Sequence, residues 1–500
     1  MFILLSCCSV TAAESTELHI LHTNDLHGRM LPGYDMKIAI PPEKIGGAAY
    51  IAGKINELRG MNPGRVLLLD GGDCAMGTAF SDALYGIPVI DYMNSVGFEA
   101  MALGNHEFDW GTGKLMAMQE RAKFPFLAAN LIDSRTGRIP QYIQPYTIIE
   151  KEGLRIGIVG LTTQNVSILQ NPSRVKNLLF LPPEEPARKA IDELHRKGVR
   201  IIVVLSHLGL DDDRALACKI SGIACIVGSH SHTALHKPLK VNDTVIVQAG
   251  CHGSYLGRLK IVLDTSSGRV ISYDGELLPI VDRNIVPDKN VEELITLYQG
   301  KTKASMNEVL GIAEDSLTDT PHGETESTAM GNFITDALKN ICKADVAIYR
   351  SDGIRTGILR GPIRKDDIHR VIPYDNKIIK AELTGREIRR MLEFLVESPF
   401  LTQVSGLEVI YHGDRKKGER IEAFLPAGEP FTDDRSYCLV TLEYLFYINR
   451  NNGGFDVMKK KHRTEVFSRE IVTRFIVNEK RIVPSHEVRV KKLPLTVPPE

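Results

Sequence analysis

Along the first half of the chain, short apolar runs alternate with stretches of helical period, and each apolar run ends abruptly in polar residues. LHILHTND (from Leu18), RVLLLDGGD (from Arg65), AMALGNHE (from Ala100), RIIVVLSHLG (from Arg200) and IACIVGSHSH (from Ile223) read as buried strands. Between them, Ala48 to Leu58, Pro186 to Arg196 and Asp211 to Ile220 set apolar residues on one helical face, so strand and helix alternate and an α/β fold is expected. The polar endings are TNDLHG (from Thr23), DGGD (from Asp70), GNHEFD (from Gly104), LSHLG (from Leu205) and GSHSH (from Gly228). In such folds ligands collect beyond the carboxyl ends of the strands, so five motifs far apart in sequence are expected to meet in one place.

The pattern continues through strands at Val245 to Gly250 and Gly257 to Asp264 and a turn-rich hairpin, which together close a first domain over residues 17–286. Residues 287–306 are polar and helix-favouring after Pro287-Asp288, and they predict a linker helix. Residues 307–500 carry their own apolar runs, with helices expected at Ala329 to Lys343 and Arg386 to Glu397 and strands in LEVIYH and YCLVTLEYLF, so a separate α+β domain is predicted. There is no internal repeat, low-complexity tract or block of like charge.

Composition narrows the partners. With 500 residues, 43% hydrophobic content, 25% charged residues and a net charge of -1, the chain has no general attraction to nucleic acid polymers or anionic membranes, so any phosphate must be bound by local groups. Residues 1–16, MFILLSCCSVTAAEST, carry an apolar stretch followed by small residues, which predicts export to the periplasm or cell surface. Thr11-Ala12-Ala13 could be cut as an ordinary signal, while Leu5-Ser6 before Cys7 and Cys8 resembles a lipoprotein cleavage site, so an N-terminal lipid anchor is the one membrane attachment the sequence offers. The remaining cysteines form no CxxC pair; Cys218 and Cys225 could pair but read as buried free thiols. The oligomeric state leaves no trace in the sequence.

The five endings carry the chemistry. Two carboxylates, one amide and several imidazoles suit two adjacent divalent metal ions. Asp25 and His27 stand two apart at a strand end, a spacing that lets both serve one ion. Asp73 follows two glycines that allow a sharp turn, which makes it the natural bridging carboxylate. Asn105 offers a neutral oxygen to a hard ion. Beside it, His106 with Asp109 three residues on fits a general acid whose tautomer is held by a carboxylate. His207 alone would be an ordinary structural histidine; with His230 and His232 of GSHSH at the same sheet edge it becomes a ligand. His252 is expected to lie behind the ligands, and Cys74, which points away from Asp73, in the core.

These residues and motifs resemble those of the bacterial periplasmic and animal ecto-5'-nucleotidases, in which a calcineurin-like metallophosphoesterase sandwich precedes a 5'-nucleotidase C-terminal domain. The likeness runs from about Leu18 to the end of the chain. It implies that Asp25, His27, Asp73 and His232 hold one ion, that Asp73, Asn105, His207 and His230 hold the other, and that His106 and Asp109 form the catalytic pair. Nitrogen and oxygen ligands admit manganese, zinc, iron or cobalt. The implied reaction is in-line attack of a metal-activated water on a nucleoside 5'-monophosphate, with nucleotide diphosphates and nucleotide sugars as further candidates.

In the second domain the resemblance implies that Arg355 of SDGIR grips phosphate, that Tyr374 and Asn376 of PYDN contact the base or ribose, and that Tyr447 is the second stacking ring, with Phe446 or Phe455 as substitutes. Three positions depart from the family. PHGETEST, with Glu324 and Glu326, stands where relatives carry a phosphate-binding arginine; Arg350 stands where they carry Asn or Ser; and Asp456 follows Phe455 instead of preceding it. Arg350 is therefore a candidate for the missing phosphate contact. Two alternatives stand beside the nucleotidase reading: a thiosulfohydrolase of the same superfamily, disfavoured by the PYDN motif, and a non-catalytic surface binding protein, disfavoured by the intact His106 and Asp109.

Overall fold

The computed structural model describes residues 15–33, 43–166, 174–320, 327–374, 376–396, 402–443, 445 and 461–493. The chain divides into two compact units, with the division at Lys301 and Thr302.

The first unit is a sandwich of two six-stranded sheets. One sheet contains β1 (Ser15–Thr23), β2 (Val66–Asp70), β3 (Ala100–Ala102), β4 (Phe126–Leu127), β13 (Tyr255–Asp264) and β14 (Val270–Pro279) in the order β14-β13-β1-β2-β3-β4. The other contains β6 (Tyr146–Lys151), β7 (Leu154–Thr162), β9 (Ile201–His207), β10 (Cys225–Val227), β11 (Leu239–Val241) and β12 (Thr244–Val247) in the order β11-β12-β10-β9-β7-β6. A short ribbon pairs β5 (Leu131–Asp133) with β8 (Leu178–Phe180). β1 through β4 run parallel, as do β7, β9, β10 and β12, so the carboxyl ends within each group share one edge.

Side-chain alternation builds the core between the sheets. Leu18 and Ile20 of β1, Leu67 and Leu69 of β2, and Ala100 and Ala102 of β3 pack with Ile156, Ile158, Val203, Leu205 and Val227 of the facing sheet. Each fully buried Leu or Ile stabilises by roughly 1.5–3 kcal/mol. Every residue of β9 is buried, because its other face is covered by the helices Glu184–Arg196 and Leu210–Lys219 through Ala187, Ile191, Leu194 and Leu216. That explains why β9 reads as an unbroken apolar run. The helix Leu210–Lys219 starts with Asp211, Asp212 and Asp213, acids that favour a helix N-terminus.

The expected linker helix is present as Lys289–Met306. Its docked portion belongs to the first unit: the Tyr298 hydroxyl donates to Asp91 Oδ2 at 2.5 Å, and Asn56 Nδ2 donates to Asp288 Oδ2 at 2.7 Å.

The second unit is α+β. A five-stranded sheet is formed by β15 (Val346–Arg350), β16 (Lys377–Thr384), β17 (Thr402–Ser405), β18 (Ser436–Leu442) and β19 (Lys461–Phe467), in the order β17-β15-β18-β16-β19. The helix Ala329–Cys342 begins at Thr328, whose side chain accepts from the Gly331 N–H, and lays Met330, Ile334 and Leu338 into a core with Val346 and Ile348. The helix Gly385–Leu395 opens on a reciprocal cap between Thr384 and Glu387.

Candidate metal centre and active site

The five motifs lie at the carboxyl ends of β1, β2, β3, β9 and β10, and their side chains form two clusters. Asp25, His27 and His232 make one; Asp73, His207 and His230 make the other. In each, one potential ligand atom per residue lies within 4.8 Å of the rest.

Strand alternation is not what aligns Asp25 with His27. β1 stops at Thr23, and both residues lie in a loop zipped onto the DGGD loop by Asp25 N–H to Gly72 O at 2.9 Å and His27 N–H to Asp73 O at 3.0 Å. Asp25, His27, Asp73, His230 and His232 all have left-handed backbone, with φ between 50° and 73°. For residues with a Cβ this conformation costs roughly 1–2 kcal/mol each, so strain is concentrated on the candidate ligands and held by the surrounding bonds. Glycine is required opposite them: a Cβ at Gly104 would collide with Asp73 Oδ1 and reach 2.6 Å from His207 Cε1.

Two of the four cluster rings, those of His27 and His207, are turned by their second nitrogen. His27 Nδ1 bonds the Met76 carbonyl at 3.0 Å, and His207 Nδ1 bonds the Gly71 carbonyl at 2.8 Å. Both Nε2 atoms are thereby directed toward the clusters, the arrangement metal-binding histidines adopt. Ser229 supports His207 with its hydroxyl 2.8 Å from Nδ1. Asp25 Oδ2 accepts from Asn24 Nδ2 at 2.7 Å and from the His230 N–H at 2.9 Å. Asn24 also donates to Gly250 O at 2.6 Å and accepts from Ala249 N–H at 2.8 Å, so it anchors the ligand loop to a distant segment. Its place inside TNDLHG was the signal available; its role rests on those remote partners.

These residues fit divalent ions. Asn105 Oδ1 is buried and makes no hydrogen bond, and Asp25 Oδ1 and His207 Nε2 have only ion-pair contacts, to His232 at 3.4 Å and to Asp73 at 3.2 Å, an arrangement a cation would complete. His27 Nε2 and His232 Nε2 face each other at 3.2 Å. Without ions, burial opposes charge on His207 but the Asp73 carboxylate, 3.2 Å away, overrides it and pushes the imidazole up to about 10. His232 is likewise disfavoured as a cation by burial, yet Asp25 lifts it to about 9. His230 is pushed down to about 4 by burial and by neighbouring His207.

His106 stands on a single 3-10 turn, His106–Phe108, with its Nδ1 2.8 Å from Asp109 Oδ2. Its backbone N–H donates to Asp73 Oδ1 at 2.7 Å, and its ring centroid lies 5.3 Å from that of His27. The His106–Asp109 pair therefore borders both clusters. His252 lies beside the first cluster, 5.7 Å from His27 and 6.0 Å from His232 between ring centroids, and Cys74 is fully buried. Cys218 and Cys225 are both free, but Cys218 is exposed, so the expectation of two buried thiols holds only for Cys225: the helix Leu210–Lys219 turns Cys218 outward.

In the second unit Arg355 places its guanidinium 5.2 Å from the centroid of the Tyr374 ring. Arg350, at the end of β15, is 7% exposed and paired with Asp352 at 2.7 Å. Asn376 is partly buried, and its carbonyl accepts from the Ser468 N–H at 2.8 Å. Tyr447, Phe446, Phe455, Asp456, Glu324 and Glu326 lie outside the described residues.

A two-sheet α/β sandwich with two Asp/His clusters at its strand ends and a His–Asp pair beside them defines a metallophosphoesterase. Residues 18–234 match the calcineurin-like phosphoesterase family, and residues 304–460 match the family described as 5'-nucleotidase, C-terminal domain. The chain belongs to the 5'-nucleotidase family. It is 30% identical to the snake venom 5'-nucleotidase of Gloydius brevicauda, over 96% of this chain and 89% of that protein. To the 5'-nucleotidase of Rattus norvegicus it is 30% identical, over 96% of this chain and 91% of that one. The crystal structure of a 5'-nucleotidase precursor from Thermus thermophilus superposes with a TM-score of 0.85 at 29% identity, covering 97% of this chain and all of that one (100%). A Thermus thermophilus sulfate thiohydrolase, SoxB, shares the fold with a TM-score of 0.81 at 20% identity, covering 95% of this chain and 96% of that one. The chain is thus a phosphoesterase of the 5'-nucleotidase family with a candidate dinuclear metal site.

Proposed function

We propose that the protein uses two divalent ions to release phosphate from nucleoside 5'-monophosphates, with nucleotide diphosphates and nucleotide sugars as further substrates. The observation that carries the hydrolytic reading is the His106–Asp109 bond of 2.8 Å bordering two Asp/His clusters. Asp25, His27 and His232 would hold one ion and Asn105, His207 and His230 the other, with Asp73 shared. When bound, such ions neutralise charge on phosphoryl oxygens and make water nucleophilic near neutral pH.

The chain's own groups do the rest. Asp109 holds the His106 ring by Nδ1, so proton transfer to the departing alkoxide runs through Nε2. Arg355 and Tyr374 offer a guanidinium for phosphate and a ring for a base, and Asn376 a further contact. Identity of 30% to 5'-nucleotidases across nearly the whole chain supports the nucleotide as substrate. Export is the corresponding proposal for the compartment, supported by the apolar N-terminal segment and tested by fractionating cells that express the full chain.

Phosphate release from a panel of nucleotides, with manganese, zinc, iron or cobalt, tests the activity. Hydrolysis of nucleoside monophosphates is expected. Failure on every nucleotide with every metal would remove the reading, and sulfate release from a thiosulfonate instead would replace it.

A further inference from the structure

Glu107 is 1% exposed, lies within the GNHEFD motif, and has no place in either ion cluster or in the His106–Asp109 pair. Its carboxylate is nonetheless fully engaged. Oε2 accepts from the Asp73 N–H at 2.9 Å and from the Gly104 N–H at 2.7 Å, and Oε1 accepts from the Cys74 N–H at 2.9 Å. Two of these amides belong to the loop that carries Asp73, and the third precedes Asn105 and His106. A single side chain therefore spans two loops separated in sequence by two helices and β3.

We propose that Glu107 is the positioning residue of the dinuclear site, setting where Asp73 stands relative to Asn105 and His106. Four features carry this. Asp73 has left-handed backbone, with φ of 52°, so its loop needs external restraint. The three amide groups sit in a buried setting where no other described acceptor replaces Glu107. The return contact, His106 N–H to Asp73 Oδ1 at 2.7 Å, closes a ring of bonds between the same two loops. And Gly104 leaves no room for adjustment, since anything larger meets Asp73 and His207. Only a carboxylate offers acceptors alone; a carboxamide of the same shape turns an NH2 toward at least one backbone N–H.

The inference rests on the clusters binding ions, and its test begins with ion binding, not turnover. Chelated protein is titrated with Mn2+ in a calorimeter, and the Co2+-loaded protein is read by its visible spectrum. Wild type is expected to bind two ions; binding of none would remove the dinuclear reading itself. In Glu107→Gln, affinity for the ion held by Asp73, His207 and His230 should fall roughly 10- to 100-fold, with an altered Co2+ spectrum and a lower kcat at little-changed KM. Met118→Ala, a fully buried position on the helix Thr112–Arg121, provides a destabilised control that should keep both ions at wild-type affinity. Wild-type affinity and spectrum in folded Glu107→Gln would overturn the proposal, as would an equal loss in the Met118 control. Where Glu107→Gln does not fold, Glu107→Asp decides: it keeps the charge but is one methylene too short to span both loops. Weakened binding of one ion supports the proposal, and unchanged binding of both overturns it.

Discussion

His27 Nε2 and His232 Nε2 point at each other across 3.2 Å, with Asp25 Oδ1 3.4 Å from His232. Because His27 Nδ1 is bonded to the Met76 carbonyl and so carries the ring proton, His27 Nε2 presents a lone pair to His232. In the ion-free protein a His232 N–H fills that place, and Asp25 favours protonation of the His232 ring against the effect of burial. A divalent ion would take its place.

Metal removal should therefore destabilise the protein. An ion at 100 times its dissociation constant contributes about 2.7 kcal/mol per site. Differential scanning fluorimetry should show a lower melting temperature in chelator and recovery with Mn2+, Zn2+ or Co2+. An identical melting temperature with and without chelator would contradict the ion assignment.

His106→Ala should lower kcat by about 10²- to 10⁴-fold, the usual worth of a positioned proton donor, while both ions remain bound. Asp109→Asn should do less, because the ring keeps its place but loses the carboxylate 2.8 Å away. Steady-state kinetics paired with elemental analysis checks this. Turnover at the wild-type rate in His106→Ala would reassign the proton donor.

Asp70 gives a pH signature. Burial raises its carboxyl from 3.8 to about 7, in spite of bonds from Thr23 Oγ1 and Gly72 N–H. A folded-state pKa above the unfolded one means the native state holds a proton that the unfolded chain releases. Stability is then greatest below pH 4 from this group and declines as pH rises toward 7, by about 1.4 kcal/mol per unit at most. Asp213, raised to about 7 by burial, acts with the same sign. In chelated protein, Asp70→Asn should flatten the fall in melting temperature between pH 5 and pH 8, since the carboxamide keeps the Gly72 bond and the Thr23 hydroxyl can reverse its role. Parallel curves for the two proteins would show that Asp70 does not carry the effect.

Arg355→Ala and Tyr374→Ala test the nucleotide contact. Stacking is worth about 0.5–1.5 kcal/mol, so Tyr374→Ala should raise KM for nucleoside monophosphates roughly 3- to 10-fold, and Tyr374→Phe should leave it near wild type. Arg350→Ala offers the contrast. With its charge already met by Asp352, its loss should show in the melting temperature, not as selective loss of phosphate affinity. A KM unaffected by either Arg355→Ala or Tyr374→Ala would move the substrate site elsewhere.

Much of the site was legible because its information is local. Each candidate ligand sits where an apolar run ends, as Asp73 does after β2 and His207 at the end of β9, and strand ends of a parallel sheet share an edge whatever the intervening sequence. The β4, β6 and β7 strands were harder to read, being short or lacking a polar ending with recognisable chemistry.

Periodicity and residue class are properties of neighbouring positions, and they were enough for the α/β alternation, the five polar endings, the second α+β unit and the chemical type of the site. How the candidate ligands are aimed depends on packing. His207 is oriented by Gly71, His27 by Met76, Asp25 by Asn24 and the His230 amide, and two separate loops by Glu107. Packing also pairs Arg350 with Asp352. Most of those relations join segments far apart in the chain, and all depend on left-handed turns and burial that arise only once the sheets have packed, so no pattern of adjacent residues encodes them.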